Sequence, residues 1–515
     1  MFLGTCSKNQ KDPSSVVIVC LILCLLIIAF GFQGSRGIWQ PDEGYYIGTA
    51  VTMYDRGDLL VPYLGNEIFL EKPPLIYWGI LAGVHLFGRN EWGARTFNAL
   101  CYVATALVVG MLGNCLFGRK IDGVIAGLVY ATMIIPFAAS NYVTPDTPLA
   151  LWTTVAALLF WKSVEPNAHR VVIWKVLMCA AFGLGFLSKG PAVLVLCAGM
   201  LAFLAVRRQF ATYLLAPWFF VGAVTFCIVG LSWYIFVAFK VPGAASYFLD
   251  NEVWGRMVSS KYNRNPGMMG ALIYLPTLVL GSLPWSLVWW RERTQLKAVI
   301  SDKLWWTNLP NNPSTLFLLT WFFVPLVVLL LASSKLAFYA LPLFPAFALA
   351  TSRLYVSHGS FCAGKAGAEV STKLITAASI WILLMLGSKF ALAYYPTQKD
   401  SRALWTSIRE YLPEGKYEIV TVDDRTDGLI FYGAEEVENV TIKEKPYPIF
   451  AVPEFITMEL QEMADGDHYL FLIGSAKHLA EIRDILIGTG VGFKEIKLPY
   501  GRWLLICDSL SKNSK

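Results

Sequence analysis

The sequence predicts an all-α bundle of membrane-spanning helices, followed by a small α/β domain outside the cytoplasm. Of its 515 residues, 56% are hydrophobic and only 15% are charged, whereas an average soluble domain has about 25% charged residues. The mean hydropathy is +0.53. Long apolar runs recur up to residue 393, and strand-like runs follow them. This composition excludes a disordered chain, an ordinary soluble enzyme and a small disulfide-rich scaffold.

Eleven apolar runs are long enough to cross about 30 Å of hydrocarbon. These predicted spans lie at 15–33, 92–117, 120–139, 146–162, 171–187, 190–206, 212–239, 271–290, 314–332, 336–356 and 374–393. The first run lacks a small-residue cleavage site, so an uncleaved anchor is favoured over a signal peptide. The run 73–88 begins with two prolines and is short for a span, so we expect a helix in the membrane interface.

The basic residues predict the orientation of these spans. Clusters such as Arg119-Lys120 and Arg207-Arg208 follow the even-numbered spans, and the positive-inside rule places them in the cytoplasm. Loop 34–91 and the tail then lie outside the cytoplasm. No stretch of Lys and Arg is long enough to follow a nucleic acid, so no nucleic-acid partner is expected.

The tail changes character, so residues 1–393 are predicted to form the membrane domain and 394–515 a soluble domain. Strands are predicted at Tyr417–Val422, His468–Ile473 and Trp503–Cys507, with a helix at Ala476–Ile487. The ten cysteines show no metal-ligand spacing, and the tail contains only Cys507. Neither a disulfide framework nor a structural zinc site is predicted.

Two acidic motifs in the first loop are candidates for function. Asp42 and Glu43 follow Pro41, where a carboxylate suits the first turn of a helix. Carboxylates at a bilayer edge also serve a cation, a sugar or a proton transfer. Glu71 and Lys72 form either a plain interfacial ion pair or, because lysine is a compact charge, part of a phosphate site.

Later outer loops add further candidates with two interpretations each. Asp146 is either a helix-capping residue or a second functional acid. Lys189 either extends its amine from the apolar core toward water or pairs with an anionic lipid headgroup. Arg256 is one of the cations in loop 240–270. Tyr339, at the outer end of a span, is by default part of the aromatic belt.

Four motifs resemble one known superfamily. The strings Pro41–Tyr46, Glu71–Trp78, Ser188–Pro191 and Lys335–Pro345 are similar to those of the bacterial aminoarabinose lipid A transferases and protein mannosyltransferases. The resemblance covers most of residues 35–350. It implies the GT-C fold, a polyprenyl phosphate sugar as donor and membrane lipids as surroundings. It also implies an inner (plasma) membrane location with the active site and the tail in the periplasm, and lipid A, another glycan or a protein as acceptor.

The resemblance also assigns roles. It implies Asp42 and Asp146 as required acids, with Glu43 as a further catalytic candidate. For the donor and its phosphate it implies Lys72, Lys189, Arg256 and Tyr339. Glu71 matches a carboxylate near a metal, yet the region around Arg256 lacks the histidine that many relatives have. A divalent cation therefore stays an open expectation, and no other cofactor is expected.

Two other classes of protein compete with this interpretation. A transporter or flippase for lipid-linked sugars is also polytopic, but its charges should lie mid-membrane and no internal repeat is visible. A non-catalytic scaffold for the tail leaves the charged loops unexplained. For an enzyme, we expect Asp42, Lys72, Asp146 and Tyr339 to surround one cavity at the outer membrane face.

Overall fold

The structure is a computed structural model that describes residues 15–165, 169–255, 265, 267–357, 372–442, 450, 456 and 468–507. The chain forms two compact units. The first contains Met1–Gly31 and Phe97–Leu386, and the second contains Phe32–Thr96 and Gly387–Lys515. The sequence-based boundary at residue 393 separates the tail from everything before it, whereas the second unit combines the tail with the first loop.

Helices dominate the described chain. The α-helices are α1 (Ser15–Phe30), α2 (Asp42–Arg56), α3 (Leu75–Phe87), α4 (Glu91–Phe117), α5 (Lys120–Ala131), α6 (Ile134–Ser140), α7 (Asp146–Val164), α8 (Val171–Lys189), α9 (Leu194–Val206), α10 (Phe210–Leu214), α11 (Trp218–Phe226), α12 (Ser232–Lys240), α13 (Ala244–Ser246), α14 (Gly267–Ala271), α15 (Tyr274–Gly281), α16 (Ser286–Arg291), α17 (Arg293–Ser301), α18 (Lys303–Asn308), α19 (Pro313–Leu331), α20 (Phe344–Ser357), α21 (Thr372–Leu392), α22 (Ser401–Ile408), α23 (Gly428–Tyr432) and α24 (Ala476–Thr489). Short 3₁₀ turns lie at Gly190–Val193, Leu309–Asn311, Ala337–Leu343, Arg409–Tyr411 and Pro499–Gly501. Two segments are π-helical, Cys227–Leu231 and Tyr247–Gly255.

Within the described residues, six helical stretches are long and apolar enough to cross a membrane. They are Glu91–Phe117, Asp146–Val164, Val171–Val206, Trp218–Lys240, Pro313–Leu331 and Ala337–Val356. A bent pair of helices is a seventh candidate, and α1, α3 and the apolar part of α21 are shorter. The chain is thus a multi-pass membrane protein, and the predicted membrane bundle is confirmed. The count of eleven spans stays a prediction.

The predicted span 120–139 is not one straight helix. It consists of α5 and α6, which meet at an angle of 65°. The side chains of two tryptophans bond to the break: Trp285 donates to Thr132 Oγ1 at 2.7 Å and Trp381 to the Thr132 carbonyl at 2.9 Å. Non-helical backbone in a membrane needs such internal partners because hydrocarbon offers none.

The predicted span 271–290 is also interrupted. The chain forms α15, which ends at Gly281, and then α16, which begins at Ser286. Pro284 lies between them and has no backbone N–H for a helical hydrogen bond. The apolar composition of this run suited a membrane span, but composition does not show where a helix is broken.

Close backbone contact joins helices of the first unit. A Cβ atom added to Gly123 of α5 would lie 2.2 Å from the carbonyl oxygen of Gly110 in α4. Small residues at such a crossing let two membrane helices approach closely. Around this crossing, large aromatic side chains such as Tyr102, Phe160 and Trp321 fill one continuous apolar core.

In the second unit, the first loop packs against the tail. A two-stranded hairpin, β1 (Tyr63–Leu64) and β2 (Glu67–Ile68), precedes α3. The 13 residues of α3 extend about 20 Å, too short for a membrane of about 30 Å. Backbone hydrogen bonds of 2.9 Å join Gln40 to Lys399 and Ser401 to Ile38.

The tail contains a mixed five-stranded sheet. Its strands are β3 (Tyr417–Val422), β4 (Val437–Val440), β5 (His468–Ile473), β6 (Phe493–Lys497) and β7 (Trp503–Cys507), in the order β4-β3-β5-β7-β6. β3 is parallel to β4 and β5, and β7 is antiparallel to β5 and β6. The small α/β domain predicted from the sequence is therefore confirmed.

The three predicted strands have the expected bounds, and the predicted helix continues to Thr489. The sequence analysis missed β4 and β6, which form the two edges of the sheet. Edge strands are short or carry charged side chains on the exposed side, so their apolar pattern is weak.

Candidate functional site

An ion pair between Asp146 and Lys189 is the first candidate site. Asp146 is the first residue of α7, and Lys189 is the last residue of α8. The Lys189 ammonium donates a hydrogen bond to Asp146 Oδ1. Each charge suits its helix end, because the helix dipole favours an anion at the N-terminus and a cation at the C-terminus. Both side chains keep some exposure, 7% for Asp146 and 11% for Lys189.

Two tyrosines complete this cluster. Tyr339 lies in the 3₁₀ turn Ala337–Leu343, and its ring centroid is 4.0 Å from the Lys189 nitrogen. Tyr274, which is 1% exposed, is close enough to interact electrostatically with Tyr339 and Asp146. The structure thus brings together three residues that the sequence analysis selected separately, namely Asp146, Lys189 and Tyr339.

A second ionic cluster surrounds Glu43 in the second unit. The Glu43 carboxylate accepts hydrogen bonds from Arg36 at 2.7 Å and from Arg95 at 2.9 and 3.0 Å. The backbone N–H of Trp39 donates a further bond at 3.0 Å. Arg95 also donates to the backbone carbonyls of Gln33, Arg36 and Gly37. Glu43 therefore ties together the chain that leads from the first helix into the loop.

Glu43 is fully buried, and its arginine partners govern its protonation. Burial alone would raise the pKa of Glu43, but attraction and hydrogen bonds from Arg36 and Arg95 lower it from 4.5 to about 2. A carboxylate with this pKa and no exposure is suited to structure rather than to proton transfer. The catalytic assignment of Glu43 is untested, and this placement disfavours it.

Asp42 lies beside Glu43 but in a different environment. It is the first residue of α2, it follows Pro41, and it is partly exposed. Asp146 likewise begins a helix directly after a proline. The two acids thus share a local structure that directs a carboxylate to the start of a helix. Whether Asp42 and Lys72 surround one cavity with Asp146 and Tyr339 stays a prediction.

Glu71 and Lys72 occupy the turn before α3 and are both partly buried. The Lys72 ammonium donates to the backbone carbonyl of Glu71 at 2.9 Å. The two prolines that follow are buried, and Pro74 is the N-cap residue of α3. Proline fixes the backbone angle φ, so this turn is held in one shape.

The divalent cation expected near Glu71 stays a prediction. In the described ranges, no three His, Cys, Asp or Glu residues lie close enough together to hold a metal ion. Burial lowers the pKa of Arg425, but attraction to Asp427, to Tyr45 and to Glu71 raises it above its usual value. Arg256, another predicted site residue, lies outside the residues that the structure describes.

The sequence analysis missed several residues of these clusters. Arg36 and Arg95 are buried partners of Glu43. Tyr274 was hidden inside an apolar run, and Arg425 lies in the tail, far from the motifs in sequence. Two features of the sequence could have indicated these residues. Arg95 is a charged residue inside a predicted span, and Arg425 follows shortly after a predicted strand.

Comparison with known proteins agrees with this architecture. The chain superposes on the crystal structure of ArnT from Cupriavidus metallidurans bound to undecaprenyl phosphate with a TM-score of 0.76 at 18% identity. The match covers 96% of this chain and 98% of that one. The protein is therefore a polytopic membrane protein with the GT-C fold.

The sequence comparisons identify its relatives. Residues 71–236 match the family model of dolichyl-phosphate-mannose-protein mannosyltransferases. The chain is 28% identical over 313 residues to the undecaprenyl phosphate-alpha-4-amino-4-deoxy-L-arabinose arabinosyl transferase of Photorhabdus laumondii, covering 60% of this chain and 54% of the relative. For the Yersinia enterocolitica enzyme of the same description, the identity is 28% over 343 residues, with 64% and 57% coverage.

The aligned part of the chain spans little more than half the length of these curated relatives. The motifs and the comparisons nevertheless agree. The resemblance to the superfamily of aminoarabinose transferases and mannosyltransferases is confirmed.

Proposed function

We propose that the protein is an integral membrane glycosyltransferase. It moves a monosaccharide from a polyprenyl phosphate carrier, undecaprenyl phosphate in a bacterium, to an acceptor outside the cytoplasm. The observation that carries this proposal is the cluster of Asp146, Lys189 and Tyr339, in which a cation and an acid meet at two helix ends beside an aromatic ring. Such a cluster suits a phosphate with an attached sugar.

The relatives indicate which sugar to test first. Two curated relatives are described as aminoarabinose transferases that use an undecaprenyl phosphate donor. We therefore propose aminoarabinose as the sugar. For the acceptor we propose lipid A, the first of the acceptors that the sequence motifs imply. This chemistry requires a site on the periplasmic side of the inner membrane, which the positive-inside pattern of the loops supports.

The proposed reaction is a substitution at the anomeric carbon of the sugar. The acceptor oxygen attacks that carbon with inversion, and the bond to the carrier phosphate oxygen breaks. The leaving group is polyprenyl phosphate, which gains negative charge as the bond breaks. Cations that are already in place stabilise this charge, and Lys72, Lys189 and Arg256 are the proposed cations.

The acids have roles that depend on the acceptor. If the acceptor is a hydroxyl group, Asp42 takes its proton as general base. If the acceptor is a phosphate of lipid A, it is already an anion and needs no base. Asp42 and Asp146 then orient the sugar and its amine. Asp146 has a further role in either case, because its carboxylate fixes the position of Lys189.

A protein mannosyltransferase is the second candidate. The family model that matches residues 71–236 describes enzymes of that kind. Their acceptors would require a general base, which Asp42 can supply. The two candidates differ in the product, so one assay separates them.

The direct test is a transfer assay with purified protein. Undecaprenyl phosphate aminoarabinose is supplied with lipid A, and mass spectrometry follows the product. Lipid A that gains one aminoarabinose supports the first candidate. Transfer of mannose from a polyprenyl phosphate carrier to a peptide supports the second. Movement of an intact donor across a vesicle membrane without cleavage would contradict both and identify a transporter.

Lys72 offers a test of the proposed phosphate site. We expect Lys72→Ala to reduce transfer by about 10²–10³-fold, as when one donor is removed from a preorganised anion site. Lys72→Arg should restore transfer only in part, because a planar guanidinium differs in shape from an ammonium. Lys303→Ala, at an exposed lysine that begins α18, is the matched control. Full transfer by Lys72→Ala at normal expression would show that the phosphate binds elsewhere.

A further inference from the structure

Gln40 is a buried residue that precedes the proposed catalytic acid Asp42. Pro41 follows it, and Asp42 then begins α2. Gln40 is 3% exposed, whereas Asp42 is partly exposed. Proline fixes the backbone angle φ, and the carbonyl of Pro41 accepts the N–H of Tyr45 at 3.0 Å. The single residue between Gln40 and Asp42 therefore has little freedom, so the position of Gln40 limits the position of Asp42.

Two hydrogen bonds join Gln40 to the tail within the second unit. Its backbone N–H donates to the carbonyl of Lys399 at 2.9 Å, and its side-chain amide donates to the hydroxyl of Ser401 at 2.6 Å. Ser401 is fully buried and begins α22, so water does not weaken this bond. The N–H of Ser401 donates in return to the carbonyl of Ile38 at 2.9 Å. These bonds hold the segment before Asp42 against the start of α22.

Two glycines leave room for the side-chain amide of Gln40. A Cβ atom added to Gly44, in the first turn of α2, would collide with Gln40 Oε1. A Cβ atom added to Gly428, the first residue of α23, would lie 2.5 Å from Gln40 Nε2 and 2.6 Å from Ser401 Oγ. The amide therefore fits closely between the helix that starts with Asp42 and a helix of the tail. Such close packing gives the amide one position.

Tyr432 gives the same segment a second support from the tail. Its hydroxyl accepts the N–H of Ile38 at 2.9 Å and donates to Glu91 Oε1 at 2.8 Å. The N–H of Trp39 is held by the Glu43 carboxylate at 3.0 Å. These bonds stay in place when the amide of Gln40 is removed. We therefore expect loss of the bond between Gln40 and Ser401 to shift the start of α2 and not to unfold the loop.

We propose that Gln40 is a positioning residue for Asp42, and that its hydrogen bond to Ser401 lets the tail set the position of the Asp42 carboxylate. This inference rests on the proposed function, in which Asp42 acts as general base or orients the sugar. Either role requires a carboxylate that is in place before the substrate binds, because a displacement of about 1 Å can slow a reaction by about 10²-fold. The tail thereby contributes to the reaction through the placement of Asp42.

The test compares turnover with carrier binding in the purified full chain. Gln40→Met keeps the length of the side chain but removes its bond to Ser401, and Ser401→Ala removes the same bond from the other side. With undecaprenyl phosphate aminoarabinose and lipid A, we expect each variant to lower kcat by about 10-fold. Each should bind undecaprenyl phosphate with wild-type affinity. A residue that only stabilised the fold would change the amount of folded protein and leave turnover per folded molecule unchanged.

A double variant identifies the bond itself as the cause. Because both changes remove one bond, Gln40→Met combined with Ser401→Ala should lower kcat by about 10-fold, as each single change does. Two independent sites would instead add to a loss of about 10²-fold. Gln398→Met is the matched control, because the exposed side chain of Gln398 donates to the backbone carbonyl of Tyr500 within the tail. It should have wild-type turnover.

The outcomes that contradict the inference are distinct from failure of the proposed function. Wild-type kcat in folded Gln40→Met, additive losses in the double variant, or an equal fall in carrier affinity would overturn the role of Gln40. If Gln40→Met does not fold, Ser401→Ala decides: wild-type kcat, or a fall in carrier affinity equal to the fall in kcat, overturns the inference. Full transfer by Asp42→Asn, or a wild-type protein that transfers no sugar, would instead overturn the proposed function.

Discussion

Two ionic clusters of this protein use the same chemistry in different ways. Around Glu43, two arginines and a backbone N–H surround one carboxylate, and none of the three ionic side chains is more than 3% exposed. Around Asp146, one lysine meets one carboxylate, both side chains keep some exposure, and a tyrosine ring covers the ammonium. In the first cluster, hydrogen bonds from Arg36, Arg95 and Trp39 already occupy both oxygens of the Glu43 carboxylate. In the second cluster, the described bond is the one from Lys189 to Asp146.

The Glu43 carboxylate therefore stabilises the fold, whereas the Lys189 ammonium can exchange its partner for a ligand. A saturated carboxylate loses its bonds only when the fold opens. An ammonium with a single described carboxylate partner can turn to an incoming phosphate, which offers several acceptor oxygens. The two clusters should therefore respond differently to substitution, one in stability and the other in activity.

The largest expected effect is at Glu43. Glu43→Gln leaves the charges of Arg36 and Arg95 without compensation, and breaking a buried ion pair costs about 3–5 kcal/mol. We expect a clear drop in the midpoint of thermal unfolding, while the transfer rate per folded molecule changes little. Glu495→Gln, in the exposed pair with Arg483, is the control and should change stability by about 0–1 kcal/mol. Loss of transfer at unchanged stability would make Glu43 catalytic after all.

The second-largest effect, a loss of transfer activity, is expected at Lys189. Lys189→Met should lower the transfer rate by about 10²–10³-fold, because one cation is missing where the leaving phosphate gains charge. We expect a smaller change in the unfolding midpoint than for Glu43→Gln. A transfer assay and a thermal unfolding curve on the same preparation check both points. If Lys189→Met transfers sugar like the wild type but unfolds at a much lower temperature, Lys189 has a structural role and not a role in transfer.

Acid should remove the contribution of Glu43 to stability. Because its folded pKa is about 2 and the unfolded value is near 4.5, the contribution is complete above about pH 4.5 and disappears as the pH falls toward 2. The difference in unfolding midpoint between wild type and Glu43→Gln should therefore shrink between pH 4.5 and pH 2. An unchanged difference over that range would show that Glu43 is not stabilised as a carboxylate.

The smallest effect is expected at Tyr339. Tyr339→Leu removes the ring 4.0 Å from the Lys189 nitrogen, and such a contact contributes about 0.5–2 kcal/mol. Transfer should fall about 2- to 30-fold, and Tyr339→Phe should keep most of the activity because it keeps the ring. Equal losses in both variants would assign the effect to the hydroxyl group instead.

The sequence predicts those features of the fold that depend on the local order of apolar and polar residues. The strands β3, β5 and β7 are apolar and central in the sheet, so their bounds were predictable. Asp146 and Lys189 could be placed on one side of the membrane because each lies at the end of an apolar run. The breaks at Thr132 and Pro284 were not predicted, because hydropathy reports how apolar a run is and not how its helix bends.

The remaining features depend on contacts between distant parts of the chain. Arg425 lies over the ring of Tyr45 although most of the sequence separates them, and nothing in the local pattern relates the two. The partners of Glu43 were similarly hidden, because an arginine near a span end suggests topology before it suggests an ion pair. Such pairs follow from the tertiary fold.

The two-part construction of the second unit has a consequence for biosynthesis. The first loop, up to Thr96, is made before Phe97–Leu386, and its packing partners are made only afterwards. At ribosomal speeds of about 5–20 residues per second, the loop waits roughly 20–80 s for the sheet that completes it. During that interval Ile38 and Gln40 lack the backbone partners that Ser401 and Lys399 later provide. The nascent loop therefore lacks its packing partner until the strands of the tail leave the ribosome.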